Sequence, residues 1–282
     1  MSVEHFVNTN GTRIHALEHG GDGPTLVLTH GLTANCRSFG GLIDAGLSDA
    51  MRVFTLDLRG RGLSDSPNDG YTVEEQAADV LGFLDAFDLG RIVLGGHSYG
   101  GLLTYYLAAN HPQRFSKCVV IDTPIGVSPI VLEQARPSIN RLGQPVPSWE
   151  AYLAAIRAQP YFEDWWEPKI EEYYRADVRF NEDGTVQSRS KPEHIMAAIE
   201  APLSMDWDDI LSRVAQPTLV IRATESYGPR GYPPMFPREL AKRSMELLPD
   251  GRLVEVPANH MTMLFGEHAS TLVKAISGFV LT

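Results

Sequence analysis

One stretch limits the folds open to this chain more than any other: Arg91-Ile-Val-Leu-Gly-Gly-His-Ser-Tyr-Gly-Gly-Leu-Leu. A short apolar run ends in Gly-His-Ser-Tyr-Gly and passes directly into a helical pattern, which predicts a strand, a sharp turn with Ser98 at its tip, and a helix. Gly96 and Gly100 fit that turn because side chains two positions either side of so tight a bend would collide. Ser98 then stands exposed above a sheet, where a nucleophile can work. The helix behind it aims N–H groups and the positive end of its dipole at any negative charge forming there.

The rest of the chain supplies a frame for this unit. Glu4 to Asn8 and Thr12 to Glu18 alternate around Asn10-Gly11, the signature of a hairpin at a sheet edge. Pro24-Thr-Leu-Val-Leu-Thr, Arg52-Val-Phe-Thr-Leu-Asp, Lys117-Cys-Val-Val-Ile-Asp122 and Pro217-Thr-Leu-Val-Ile are continuous apolar runs, as in strands buried on both faces. Thr72 and Glu75 form a capping box for a helix whose apolar residues recur from Val73 to Phe87 until Gly90 stops it. Strands alternating with helices predict a parallel sheet. From Ile125 to Arg213 the alternation lapses into a helix-leaning, aromatic-rich region, read as an inserted cap. This predicts a core of residues 1–124 and 214–282 with a helical cap over 125–213. A helix from about Pro237 to Leu248, a strand from Arg252 to Val256 and a last helix to Val280 complete the chain.

Composition narrows the partners. With 282 residues, 43% hydrophobic and 21% charged, the chain can fill one large core or two modest ones. A formal charge of −11 argues against nucleic acid and anionic membrane as partners. No apolar run reaches the ~18 residues of a membrane span, and the first residues lack a signal-peptide pattern, so a cytoplasmic monomer or homodimer is expected. Cys36 and Cys118 have no metal-ligand spacing and read as reduced structural thiols; no metal or cofactor is expected.

A serine hydroxyl needs an adjacent base, usually histidine oriented by a carboxylate. Of nine histidines, His260 is the best placed, in the loop after the last strand, where that strand returns to the sheet edge bearing Ser98. His268 belongs to the final helix, His5, His15, His19, His111 and His194 are read onto edges or outer helices, and His97 as packed. The N–H groups of Tyr99 and of Leu32, in His30-Gly31-Leu32, are candidate oxyanion donors. His30 reads mainly as a brace for that loop. With Trp149, Trp165 and Trp166 of the cap it also stands as a candidate pocket residue.

With His-Gly-Leu-Thr, Asp-Leu-Arg-Gly-Arg-Gly-Leu-Ser-Asp, Gly-His-Ser-Tyr-Gly and Asn-His in this order, the chain resembles the α/β-hydrolase fold superfamily along nearly its whole length. The resemblance implies a doubly wound, mostly parallel α/β sheet of roughly eight strands with an inserted helical cap, and a Ser, acid, His order. One position departs from the pattern. The acid normally follows the seventh strand, where this chain has Arg222-Ala-Thr-Glu-Ser-Tyr and Ser226 stands in place of aspartate. Asp122, ending the sixth strand as in some branches, and Glu225 are the two candidates; Asp122 is favoured because a rigid strand end orients an imidazole better than a loop. Serine at the turn argues against the carboxylate-nucleophile chemistry of epoxide and haloalkane branches. The expected activity is hydrolysis of a small-molecule carboxylic ester or lactone through an acyl-enzyme on Ser98. Cleavage of a C–C bond or amide, or ligand binding without catalysis, are the alternatives.

Overall fold

A computed structural model describes residues 2–126, 129–163, 165–229 and 231–282. The apolar runs become strands of one eight-stranded sheet in the order β1-β2-β4-β3-β5-β6-β9-β10. Here β1 is Val3–Thr9, β2 Thr12–Gly20, β3 Thr25–Thr29, β4 Arg52–Leu56, β5 Ile92–His97, β6 Phe115–Ile121, β9 Thr218–Ala223 and β10 Gly251–Val256. Strand β2 pairs antiparallel with both β1 and β4, and the remaining pairs are parallel. The hairpin turns on Asn10 and Gly11, both at positive φ (45° and 73°), as two-residue loops demand.

Helices cover both faces. Helix α1 spans Gly40–Asp44, α2 Val73–Ala86, α3 Tyr99–Asn110, α9 Arg238–Leu247 and α10 Gly266–Val280. The capping box of α2 forms as read, Glu75 N–H donating to Thr72 Oγ1 at 3.3 Å and Thr72 N–H to Glu75 Oε2 at 3.2 Å. Helix α3 is apolar nearly all round and buried along most of its length, because it lies directly beneath the sheet. That burial anchors the turn at its start.

The strand order reverses between β3 and β5, which are neighbours although β4 intervenes in sequence. In open α/β sheets the crevice outside the carboxyl ends of strands at such a reversal is where ligands bind. The loops after β3 and β5 carry Leu32 and Ser98.

Between β6 and β9 the chain leaves the sheet and builds α4 Pro129–Asn140, α5 Trp149–Arg157, α6 Pro168–Asp177, α7 Pro192–Ser204 and α8 Trp207–Ser212. It also forms a feature not read from sequence, a hairpin of β7 Val178–Phe180 and β8 Val186–Ser188. Tyr161, Phe162, Tyr173 and Tyr174 from this segment are buried in the same apolar cluster as Leu26 and Leu28 of β3, which fastens the insertion to the sheet. No described helix is long and apolar enough to cross a membrane. Arg230, within the Pro/Gly-rich loop after β9, lies outside the described residues.

Candidate active site

Ser98 has φ 54° and ψ −118°, a region costly for a side-chain-bearing residue. The surroundings enforce it. Ser98 N–H donates to Ile121 O at 2.9 Å, and Thr123 Oγ1 donates to Ser98 O at 3.0 Å. A Cβ on Gly96 would lie 2.1 Å from Gly100 O, and one on Gly100 2.1 Å from Thr29 O, so only glycine lets the helix start this close to β3 and β5.

The adjacent strand end holds Asp122, also at positive φ (47°) and fully buried. Its N–H donates to Ile221 O at 2.7 Å, and its Oδ1 accepts from Ala223 N–H at 2.8 Å, which aims Oδ2 out of the sheet. His260 Nδ1 donates to that Oδ2 at 2.7 Å. Nε2 is therefore the ring nitrogen left for other partners. Asn259 stiffens the histidine loop, its Oδ1 accepting from Met261 N–H and Thr262 N–H and its Nδ2 donating to Tyr161 O. Glu225 takes no part: it is exposed, with Thr224 Oγ1 3.3 Å from its carboxylate, in an outer cleft shared with Trp165 and His268. Of the two acids read from sequence, the structure brings Asp122 to His260 and leaves Glu225 outside.

His97 proves more than a packed neighbour. Its Nε2 donates to the backbone O of His260 at 3.0 Å, and the two rings lie 4.3 Å apart, tilted by 36°. Burial holds the His97 pKa well below its usual value, so the ring is neutral. The His30 side chain is corrected from candidate pocket residue to brace. It is fully buried, donates from Nδ1 to Gly31 O at 2.7 Å and accepts Leu58 N–H on Nε2 at 3.1 Å. Burial drops its pKa to about 4. Arg61, which sequence reasoning did not single out, adds a second brace by donating from Nε to Leu32 O at 3.1 Å. The N–H groups of Leu32 and Tyr99 have no acceptor among the described residues, and both residues border the space beside Ser98.

Ser98 sits where two cavities meet. One is walled by Ser98, His260, Arg141, Tyr173, Tyr174 and Tyr227, the other by Leu102, Leu132, Ile199 and Pro202 with Tyr99 and Thr123 at its floor. Trp149, Trp165 and Trp166 line neither, which corrects their reading as pocket residues. Trp149 stacks on Tyr152 with the Arg175 guanidinium over it, Trp166 meets Phe162 edge-on under Arg157, and Trp165 faces the outer cleft. Tyrosines of α6 and an arginine after α4 occupy the wall instead.

Among the described residues one cluster has the side chains to hold a metal: His15, Cys36 and Asp57. His15, read as an edge residue, is buried there. Asp57 is already satisfied, by His15 Nδ1 at 2.7 Å, Cys36 N–H at 2.6 Å and Leu63 N–H at 2.8 Å. Burial pushes the Cys36 thiol well up, away from the thiolate a metal requires. The cluster ties β2, the turn at Cys36 and the loop after β4 together behind Leu32.

A 2-(acetamidomethylene)succinate hydrolase of Mesorhizobium japonicum is 30% identical over 160 residues, covering 55% of this chain and 57% of that one. Two other relatives of similar identity are matched over 43% and 45% of their lengths, so the chain spans about half of these proteins. A non-heme chloroperoxidase of Streptomyces lividans is 30% identical over 234 residues, 77% of this chain and 80% of that one. The crystal structure of an E-2-(acetamidomethylene)succinate hydrolase superposes over 100% of both chains with a TM-score of 0.85 at 24% identity. That of the enol-lactonase from Burkholderia xenovorans LB400 covers 99% of this chain and 100% of its own, with a TM-score of 0.74 at 23% identity. A sequence model of the alpha/beta hydrolase fold matches residues 24–267, from the start of β3 into α10, and with the sheet order and the strained serine turn it establishes that the chain belongs to the α/β-hydrolase fold family.

Proposed function

We propose that this protein is a serine hydrolase that cleaves a carboxylic ester or lactone through an acyl-enzyme on Ser98. The observation that carries the reading is the buried 2.7 Å hydrogen bond from His260 Nδ1 to Asp122, on the wall of the cavity that Ser98 enters. It fixes the tautomer in which Nε2 is unprotonated and able to accept a proton. Ser98 Oγ has no hydrogen-bond partner among the described residues and shares a cavity wall with His260, so it is free to turn toward that nitrogen as substrate arrives. Oγ then attacks the carbonyl carbon while Nε2 takes the hydroxyl proton. The carbonyl oxygen becomes an oxyanion between the free N–H groups of Leu32 and Tyr99. Collapse breaks the bond to the leaving group, which receives the proton from His260, and water repeats the sequence to release the acid. Asp122, hydrogen-bonded to Nδ1, faces the imidazolium as it forms and balances its charge. Residues 125–213 act as the cap that closes this site from solvent.

Several of the curated relatives bear names of hydrolytic enzymes, among them a 3-oxoadipate enol-lactonase of Acinetobacter baylyi, in keeping with this chemistry, although others are named as haloperoxidases. A second reading, hydrolysis of an amide by the same residues, draws on an N-formylmaleamate deformylase of Pseudomonas putida that is 35% identical over 120 residues. The test pairs p-nitrophenyl butyrate with p-nitrobutyranilide and adds a fluorophosphonate probe. Ester turnover and a mass increase on the Ser98 peptide, both lost in Ser98→Ala, are expected. Faster anilide turnover would favour the amide reading. Folded protein giving neither turnover nor labelling would leave a binding protein on this fold.

A further inference from the structure

The two cavities that meet at Ser98 differ in chemistry, and Arg141 is the source of the difference. Its guanidinium has five N–H groups. One Nη1–H donates to Asp177 Oδ2, the other to Tyr152 Oη at 2.9 Å, and one Nη2–H to Thr33 O at 3.1 Å. Nε–H and the second Nη2–H have no hydrogen-bond acceptor among the described residues, the guanidinium carbon lying 5.6 Å from the centre of the Tyr174 ring. Arg141 lines the cavity at Ser98 and also an outer one beside Asn140 and Tyr152; its side chain keeps 13% exposure against 0% for Asp177, and its unpaired Nε is not sealed off, so the arginine and not the carboxylate that holds it is within reach of a ligand. A planar cation presenting two free N–H groups matches a carboxylate.

Direction follows from His260. It must protonate the leaving group, so the leaving group lies on the imidazole's side of Ser98, and His260 and Arg141 wall the same cavity. The other cavity has neither. It is lined by Leu102, Leu132, Ile199 and Pro202, and suits an uncharged hydrocarbon acyl group.

Building on the serine-hydrolase reading, we propose that the substrate is an ester whose leaving group carries a carboxylate bound by Arg141 and whose acyl group is apolar. The Ser98 step is the one already described; Arg141 adds recognition and forms or breaks no covalent bond.

Four esters test this. 4-Acetoxybenzoate carries a carboxylate on its leaving group, and its methyl ester is the neutral control. Phenyl hydrogen adipate carries the carboxylate on its acyl group, and phenyl hexanoate is its neutral control. With each kcat/KM divided by that ester's own hydroxide-catalysed rate, 4-acetoxybenzoate should exceed its methyl ester at least tenfold, and the adipate should trail the hexanoate. In both Arg141→Gln and Arg141→Lys the first ratio should fall toward one, since lysine keeps the charge but loses the fork. Because Arg141→Gln strands Asp177, the double variant Arg141→Gln/Asp177→Asn serves if the single one does not fold. No preference in the wild type, a preference that survives loss of the guanidinium, or an adipate that outruns the hexanoate would each overturn the proposal. Calorimetric binding of the product 4-hydroxybenzoate separates this from failure of the hydrolase reading. Binding at least tenfold tighter than methyl 4-hydroxybenzoate, lost in the double variant, upholds the anchor even if no ester turns over, and equal binding removes it.

Discussion

Replacing Asp122 by asparagine isolates the contribution of one charge. The side chain keeps its shape, and asparagine tolerates the positive φ of 47° at this position as well as aspartate does, so the backbone should hold. Its Oδ1 can still accept Ala223 N–H. What changes is the face toward His260: an NH2 group now meets Nδ1, which must become the acceptor, so the ring proton moves to Nε2. That nitrogen can then no longer take the Ser98 proton. The lost electrostatic support follows from Coulomb's law: opposite charges about 4 Å apart at an effective dielectric of about 20 attract by about 4 kcal/mol. That is about 10³ in rate, and the wrong tautomer brings the loss to roughly 10³–10⁴. Steady-state hydrolysis of p-nitrophenyl butyrate, with circular dichroism to check folding, measures it. Glu225→Gln should change the rate less than twofold, because Glu225 is exposed in a different cleft. If the folded Asp122→Asn protein stays within tenfold of wild type, or Glu225→Gln costs more, the charge that orients His260 has been misassigned.

Three further outcomes are expected. Gly96→Ala drives a Cβ to 2.1 Å from Gly100 O, a backbone atom that cannot yield, and should lower Tm by about 6 °C or more in calorimetry, from a cost of about 3 kcal/mol; a shift under about 2 °C would contradict the packing. His30, fully buried with a pKa of about 4 against 6.5 for the free side chain, binds fewer protons folded than unfolded across that window, so its stabilisation is complete above pH 6.5 and lost as pH falls toward 4, by about 3 kcal/mol; urea melts should show this slope, partly flattened in His30→Gln, and His97 adds to it with the same sign. His97→Phe keeps a ring against His260 but removes the donor to its carbonyl, and should cost about tenfold in kcat with a displaced acidic limb in the pH profile, while His97→Gln recovers part of the rate; an unchanged profile would reduce His97 to packing.

What could be read in advance was what the backbone enforces locally. The glycines at 96 and 100, the strand before them and the helix after them lie within a dozen residues, so their geometry is written in adjacent letters. Asp122 was favoured by the family resemblance and by the rigidity of a strand end, and the structure supplies the reason it fits: the end of β6 adjoins the end of β5. Contacts made across the insertion were not legible. Arg141 meets Asp177 over a separation of 36 residues, and no periodicity says that α6 turns its tyrosines, rather than the neighbouring tryptophans, toward Ser98. The β7–β8 hairpin was missed because three-residue strands carry too few positions for alternation to register, although Asp183-Gly184 was a turn signal. His15 was misread for a related reason: a residue on an edge hairpin is buried here because the loop after β4 folds over it.

The backbone strain points the same way as the side-chain geometry. Four non-glycine residues among those described have positive φ: Asn10, Asp88, Ser98 and Asp122. Asn10 is the hairpin turn, and Asp88 follows the end of α2, where a left-handed residue commonly closes a helix. Neither needs a functional explanation. Ser98 and Asp122 end neighbouring parallel strands and are held by partners that leave no freedom, Ile121 O and Thr123 for the first, Ile221 O and Ala223 N–H for the second. Asparagine and aspartate accept such a conformation readily; a serine does not, and nothing in the turn itself requires one. In the proposed mechanism, strain concentrated where a hydroxyl and a carboxylate both leave the same sheet edge serves chemistry, because relaxing either backbone would turn its side chain away from its place beside His260.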